Sequence, residues 1–439
     1  MDVRGKRITV FGMGASGVAV LGLLREHGAL VRAADVKPRE ALPAFDAPFV
    51  AQSPEALVDC DLAVLSPGVP PDLPLFAAAA QRGIPVVGDV EAASWFLRGP
   101  VLGITGSNGK TTTTALAGHL LHTAGIPCQV GGNIGRPLAS MAPVSRPDQW
   151  NVLELSSFQL ETSHTLRVQI AAVLNITQNH LDRHHTMENY IAAKARILAC
   201  QQPGDHAVLN AENPASADLA AQARGRVWWF SAGGARRPGF WQENGVLFAE
   251  GEPFMEAGEI PLRGRHNLEN VLAAACCARL AGAPLEAIRE GVRTFAGVEH
   301  RIEFVRELDG VRFYNDSKAT SVDATRKALE SFDGNLWVIL GGKDKGSDYR
   351  ELRELLAQRA RGALLIGSAA PVIAAHLEGA LPLIACGDLR TAVETAWQRA
   401  EPGDTVLLAP ACASFDQFRS YEERGRVFKS LVNALESRR

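Results

Sequence analysis

Nothing in this chain marks it at once as a disulfide scaffold, a zinc module, a membrane span or a nucleic-acid binder. Its seven cysteines, Cys60, Cys128, Cys200, Cys276, Cys277, Cys386 and Cys412, are an odd set without Cys-x-x-Cys spacing, so they read as reduced packing thiols. No run of roughly 18 apolar residues is free of charge, Pro or Gly, which excludes the usual pattern of a spanning helix. The opening Met-Asp-Val-Arg-Gly-Lys-Arg leads into an apolar run at 8–11 that is too short for a secretory signal. The net charge is only −3, from 45 basic and 48 acidic residues, and offers no broad field for a nucleic-acid backbone or an anionic membrane. A cytoplasmic protein is expected, without nucleic-acid or membrane partners, and any anion it binds must be held locally. No internal repeat is visible.

The composition is that of a folded protein, with 46% hydrophobic and 21% charged residues. At roughly 100–200 residues per domain, 439 residues predict two to four domains. Short apolar runs at 8–11, 30–34, 62–65 and 86–87 alternate with Ala/Leu-rich stretches at 18–27 and 75–81, a β-α-β rhythm that predicts a parallel sheet. A second series starts at Val101, with strands expected at 152–155, 170–176, 207–210 and 227–230. Residues 233–262 read as hairpins on the edge of that sheet, and a helical run at 267–281 closes it. After Gly297 the pattern restarts, with strands at 312–314, 336–340, 363–366 and 405–408. The expected fold class is α/β in three domains, 1–95, 96–298 and 299–439.

Gly12-Met13-Gly14-Ala15-Ser16-Gly17 follows a predicted strand and opens a helix, and Asp35 ends the next strand, so the dinucleotide fingerprint is met in form. Its physical content is wider, because such glycines let backbone N–H groups approach any pyrophosphate, and a tight turn without a ligand has the same pattern. Gly103-Ile104-Thr105-Gly106-Ser107-Asn108-Gly109-Lys110-Thr111-Thr112 says more. A strand, a Gly-rich turn and Gly-Lys-Thr at a helix start together form a phosphate cradle, with Lys110 as cation and the Thr111 hydroxyl for Mg²⁺. Ile104 stands where the strict spacing has glycine.

Glu154, ahead of Ser156 and Gln159, follows an apolar strand, where open parallel sheets bind ligands, and is a candidate Mg²⁺ ligand. His180 follows another strand at the same edge, while Lys194, in a helix predicted over 187–199, reads by itself as a solvated lysine. In the last third, Asn315-Asp316-Ser317-Lys318-Ala319-Thr320 and Ala409-Pro410-Ala411-Cys412-Ala413-Ser414-Phe415-Asp416-Gln417-Phe418 each follow a strand. Each is either a capped helix start or an edge that holds an anionic, amine-bearing substrate.

Gly106-Ser107-Asn108-Gly109-Lys110-Thr111-Thr112, Glu154-Leu155-Ser156-Ser157-Phe158-Gln159-Leu160-Glu161, Gly264-Arg265-His266-Asn267, His300-Arg301 and Asn315-Asp316-Ser317-Lys318-Ala319-Thr320 occur in that order. Together they resemble the Mur ligases of bacterial peptidoglycan synthesis, over the whole chain. Ser414-Phe415-Asp416-Gln417-Phe418 through Tyr421-Glu422-Glu423-Arg424-Gly425, with Gly131-Gly132-Asn133-Ile134-Gly135, is similar to the D-glutamate-adding branch.

The resemblance implies a Rossmann-like N-terminal domain for the nucleotide sugar, a central P-loop domain and a Rossmann-like C-terminal domain. It implies a monomeric ligase that uses ATP and two Mg²⁺ ions to join D-glutamate to UDP-N-acetylmuramoyl-L-alanine. Gly14, Ala15, Ser16, Asp35, Lys37, Ser66 and Gly68 would then face the nucleotide sugar, joined by Asn133, Ser156, Gln159 and His180. ATP would meet the turn from Gly106 to Thr112, with Asn267, Asn270, Arg301, Asp316 and Lys318. Lys110, Glu154, His180 and Lys194 would carry catalysis, and Thr111, Glu154, His180 and a carbamylated Lys194 would hold metal. Thr320, Lys345, Ser414, Phe415 and Tyr421 would bind the amino acid. Two positions depart from the family pattern: Asn179 stands where Asp is usual before the histidine, and Tyr421 where Phe is frequent.

Three rival readings stand beside this one. They are a folylpolyglutamate synthase-like or other amino-acid ligase of the same superfamily, a NAD-dependent oxidoreductase built on the first fingerprint, and a non-catalytic nucleotide-binding module.

Overall fold

The computed structural model describes residues 1–439 except Arg263, Lys345 and Arg439. Its first sheet contains β1 (Arg7–Phe11), β2 (Leu30–Asp35), β3 (Phe49–Ala51), β4 (Leu62–Leu65) and β5 (Val86–Gly88). All five are parallel, in the order β3-β2-β1-β4-β5. The order reverses beside β1, so a crevice opens at the carboxyl ends of β1 and β4, where α/β sheets take ligands.

The second sheet holds β6 (Val101–Thr105), β7 (Cys128–Gly132), β8 (Trp150–Glu154), β9 (Ile170–Val173), β10 (His206–Asn210) and β11 (Arg226–Ser231). The ribbon β12 (Gly239–Glu243), β13 (Val246–Ala249) and β14 (Glu252–Glu256) extends it into nine strands, ordered β14-β13-β12-β11-β10-β9-β6-β8-β7. Strands β12, β13 and β14 pair antiparallel, as the hairpin reading of 233–262 anticipates. Fully buried strands such as β6 and β9 need cover on both faces, which explains their unbroken apolar character.

The third sheet comprises β15 (Glu303–Leu308), β16 (Val311–Asn315), β17 (Leu336–Gly341), β18 (Ala360–Ile366), β19 (Leu383–Gly387) and β20 (Thr405–Leu408), in the order β15-β16-β20-β17-β18-β19. Strand alternation divides its core. Val338, Leu340 and Leu407 face one side, and Ile339, Val406 and Leu408 the other. Four strands that the sequence reading does not anticipate, β3, β7, β15 and β19, have weak patterns. Glu-Phe-Val-Arg-Glu-Leu in β15 carries three charges, β7 ends in two glycines, and β3 is three residues long.

The chain forms two compact units, Met1–Pro261 with Arg265–Phe295, and Leu262–Gly264 with Ala296–Arg439. In the first unit one continuous apolar core contains Val10, Leu24 and Val90 around the first sheet, and Leu153, Val168 and Leu209 from the second.

Glu91, in the helix Asp89–Ser94, ties those two sheets by polar contacts as well. It is 1% exposed, and its carboxylate accepts the backbone N–H groups of His164 (2.8 Å), Thr165 (2.9 Å) and Leu166 (3.2 Å), plus the Thr165 hydroxyl. Burial alone would raise its pKa, but the Thr165 hydroxyl and these amides outweigh it and hold the carboxyl below its ordinary value. Glu91→Ala would leave buried amides unsatisfied and should cost about 3 kcal/mol, read as a lower urea midpoint. In the wild type, the depressed folded-state pKa means that this stabilisation is present above the unfolded carboxyl pKa and is lost as pH falls through the folded value. Urea midpoints that respond to pH identically in wild type and Glu91→Gln would refute the assignment.

Candidate active site

Strands β9, β6, β8 and β7 lie side by side, so the turns after them meet at one edge. The turn after β6 enters the helix Lys110–Thr123 through Gly109, whose φ of +82° suits glycine. A Cβ there would also lie 2.3 Å from Asn270 Oδ1. The turn is sewn to the segment after β9. Ser107 N donates to Asn175 O (2.8 Å), Asn108 N to Asn175 Oδ1 (2.9 Å), and Ser107 Oγ to Thr177 O (3.0 Å).

Glu154, at the end of β8 and 2% exposed, is gripped from two sides. Thr111 Oγ1 donates to one carboxylate oxygen (2.8 Å) and Asn133 Nδ2 to the other (2.7 Å). Two residues named from sequence, Thr111 for metal and Asn133 for the nucleotide sugar, therefore converge on the carboxylate of a third, Glu154. Thr112 is buried beside them, and Asn270 accepts from Thr113 Oγ1 (3.2 Å) and donates to Asn267 Oδ1 (3.1 Å).

Lys194 corrects the solvated reading of its helix, which spans Met187–Ala195 before tightening into a 3₁₀ turn. It is 1% exposed and lies under the P-loop. Its Nζ donates to Gly106 O (2.8 Å) and Thr105 Oγ1 (3.4 Å) and rests 4.7 Å from the centre of the Tyr190 ring. Lys110 Nζ donates to the same Gly106 O (2.8 Å) and to Ser107 O (2.9 Å). Burial first, and then the Lys110 charge, push the Lys194 pKa well below that of an ordinary lysine, against the pull of Glu154.

His180 sits at φ 54°, with its N–H donated to Asn179 Oδ1 (2.9 Å) and its ring 4.9 Å from that of Phe158. Partial desolvation, then Lys110, lower its pKa. Asn179 thus serves the His180 backbone with a neutral acceptor. Ser156 and Gln159 form a capping box on the helix Ser157–Leu160, and Gln159 is 2% exposed. His184 escapes the sequence reading. It is 4% exposed, 3.0 Å from Ser157 Oγ through Nε2, and flanked by Phe158 and Tyr190, with its pKa driven down to about 4 chiefly by burial. Its only sequence signal was a spacing of one helical turn from His180.

At the carboxyl edge of the first sheet, Asp35 accepts the N–H groups of Met13 (2.7 Å) and Lys37 (2.9 Å), and Ser66 donates to Gly12 O (2.6 Å). These contacts brace the fingerprint turn while Gly14, Ala15, Lys37 and Gly68 stay exposed. Asp89 was not anticipated. It is 5% exposed, and burial pushes its pKa up to about 7, against the lowering influence of the Val90 backbone and Ser16.

In the second unit, Asp316 is 5% exposed and accepts Ile302 N (3.2 Å). Burial raises its pKa to about 7, against Arg301 and Lys318. Lys318 N donates to His300 O (3.1 Å), and Thr320 N to Lys318 O (2.8 Å). Arg424, 0% exposed, spans the two turns singled out from sequence: it donates to Ser317 O (2.9 Å) and Cys412 O (3.2 Å). Ser317 Oγ donates to Tyr421 O (2.8 Å). Ser414 is buried, Phe415 is 69% exposed, and Lys345 lies outside the described residues.

Residues 6–88 match the MurD-like N-terminal domain of Mur ligases, 104–278 the Mur ligase middle domain, and 300–412 the Mur ligase glutamate ligase domain. The chain belongs to the Mur ligase family, and it is an ATP-dependent ligase. It is 57% identical over 439 residues to a Solibacter usitatus protein named UDP-N-acetylmuramoylalanine–D-glutamate ligase, covering 99% of both chains. A protein of the same name from Acidobacterium capsulatum is 52% identical over 450 residues, covering 99% of this chain and 97% of its own. Among solved structures, the UDP-N-acetylmuramate-alanine ligase MurC of Thermotoga maritima shares the fold, with a TM-score of 0.62 at 18% identity over 98% of this chain and 99% of that one. A pseudomurein peptide ligase type C from Methanothermus fervidus gives 0.59, also at 18% identity, over 98% and 100%.

Gly109→Ala combines strain at φ +82° with overlap on Asn270. It should weaken binding of a non-hydrolysable ATP analogue by at least about tenfold in calorimetry, and an unchanged affinity would remove the turn from the nucleotide site.

Proposed function

We propose that this chain joins D-glutamate to UDP-N-acetylmuramoyl-L-alanine, at the cost of ATP, as a cytoplasmic monomer of three domains at 1–95, 96–298 and 299–439. The observation that carries this reading is likeness along the whole chain to ligases of that name. The convergence of Thr111, Asn133 and Glu154 on one sheet edge supports it. A synthase-like rival has no counterpart for the match at 6–88, and a NAD oxidoreductase leaves Thr111 and Glu154 without a task.

In this reading the backbone amides of the P-loop and Lys110 hold the triphosphate, while Asn267, Asn270, Arg301, Asp316 and Lys318 complete the ATP site. The residues bracing the first fingerprint hold the nucleotide sugar and present its alanyl carboxylate. That carboxylate forms a P–O bond to the γ-phosphorus as the bond to the ADP oxygen breaks. The neutral amine of D-glutamate, held by Thr320, Lys345, Ser414, Phe415 and Tyr421, attacks the acyl carbon. The C–N bond forms, the amine gives up a proton and phosphate leaves.

The hard oxygen donors of Thr111 and Glu154, with His180, fit Mg²⁺. Two such ions would screen the charge shared by triphosphate and carboxylate. Lys194 fits carbamylation, because burial under the P-loop favours the neutral form of its amine, which adds CO₂ and loses a proton to give the carboxylate that a metal prefers.

Phosphate release should require ATP, Mg²⁺, UDP-N-acetylmuramoyl-L-alanine and D-glutamate together, and release that is indifferent to the amino acid would overturn the substrate assignment. Lys110→Ala should lose on the order of 10²–10³ in rate while remaining folded. Lys194→Ala should be inactive and partly restored by short carboxylates. Intact-mass measurement of the active wild type should show a bound CO₂, and an unmodified lysine there would exclude the carbamate.

A further inference from the structure

At the carboxyl ends of β17 and β20, two loops run side by side. Gly341 N donates to Pro410 O (2.8 Å) and Lys343 N to Ala413 O (2.8 Å), so the turn that begins at Lys343 lies against the segment that leads to Ser414. Beneath them sits Tyr349, 1% exposed, at the head of a 3₁₀ turn whose Leu352 is buried in the core. Its N–H is donated to His376 Nδ1 (3.2 Å), which fixes its backbone. Its hydroxyl donates to Asp344 Oδ1 (2.7 Å) and meets Cys412 Sγ at 3.0 Å. One phenol therefore joins both loops to the core.

Asp344 Oδ1 also accepts Gly346 N (3.1 Å), so the Tyr349 hydroxyl meets a carboxylate that already shapes the turn after Lys343. We propose that Tyr349 is a positioning residue for the amino-acid pocket, its hydroxyl fastening the Lys343 turn, through Asp344, to the Cys412–Ser414 segment. The inference rests on the D-glutamate reading above. It assigns no role to Tyr349 in the ATP or nucleotide-sugar sites, so an effect confined to one substrate is its signature.

The test is Tyr349→Phe, which keeps the ring in the core and removes only the hydroxyl. Steady-state kinetics should show KM for D-glutamate raised about tenfold, with kcat and the KM values for ATP and nucleotide sugar within about twofold of wild type. A second readout needs no turnover: alkylation of Cys412, followed by peptide mass mapping, should run faster in Tyr349→Phe than in wild type. An unchanged KM for D-glutamate in an active Tyr349→Phe, or KM values that rise equally for all three substrates, would overturn the positioning role. Wild-type phosphate release that ignores D-glutamate would instead overturn the reading beneath it, and the alkylation rates would still report whether the hydroxyl fastens the loops.

Discussion

Two ammonium groups share one carbonyl oxygen. Lys110 Nζ and Lys194 Nζ each lie 2.8 Å from Gly106 O, one on the helix that follows the P-loop and the other on a helix packed below it. Two full positive charges that close, with one of them 1% exposed, repel strongly in a medium of low effective dielectric. The molecule resolves the conflict by disfavouring the charge on Lys194, the more buried of the two. Lys194, whose pKa burial and the Lys110 charge push well below that of an ordinary lysine, is the one that gives up its proton more readily. The same contact also fixes the P-loop, since Gly106 opens the turn that Ser107 and Asn108 stitch to Asn175 and Thr177. The β6–β8 register sets Glu154 beside Ile104, so this pair of lysines and the Glu154 carboxylate share one sheet edge.

A comparable device organises the second unit with the opposite logic. Arg424 is 0% exposed and spends its guanidinium on the carbonyls of Ser317 and Cys412 and the Ser317 hydroxyl. Burial lowers its pKa only to about 10, so at neutral pH it remains a cation. A rigid planar fork with several donors can tie separate turns at once, which a lysine cannot do. Gly425, next in the chain, leaves room for the His300 ring, since a Cβ there would fall 2.2 Å from Nδ1.

How much of this could be read from sequence follows from what sequence patterns encode. The P-loop, the strand-end Glu154 and the first fingerprint were legible because backbone geometry restricts which residues can occupy such turns. The hairpins over 239–256 were legible from short apolar pieces between turn residues. The burial of Lys194 was not. Helical periodicity places a residue on a face, but it does not say that the side chain will reach a carbonyl 88 positions earlier. Asp89 and His184 were hidden for the same reason: each is ordinary in its own segment and becomes unusual only against Ser16 or between Phe158 and Tyr190. Tyr349 reads as a core aromatic, and only the third sheet's strand order brings its hydroxyl to Asp344 and Cys412.

The charges buried near strand ends share one energetic character. Lys194 and Arg424 are held mainly by carbonyl and hydroxyl oxygens, and Asp89 and Asp316 are pushed toward neutrality by burial. Groups in that condition weaken the fold relative to an apolar edge, because desolvation is only partly offset by hydrogen bonds. The apolar cores tolerate this: the first unit joins two sheets in one cluster, and the third sheet is covered on both faces. In the reading proposed above, the penalty at Lys194 is met by ligand chemistry, since adding CO₂ would turn the buried amine into a carboxylate that a metal ion could compensate. Binding and stability are therefore linked, so a ligand that neutralises one of these charges tightens the edge that orients it.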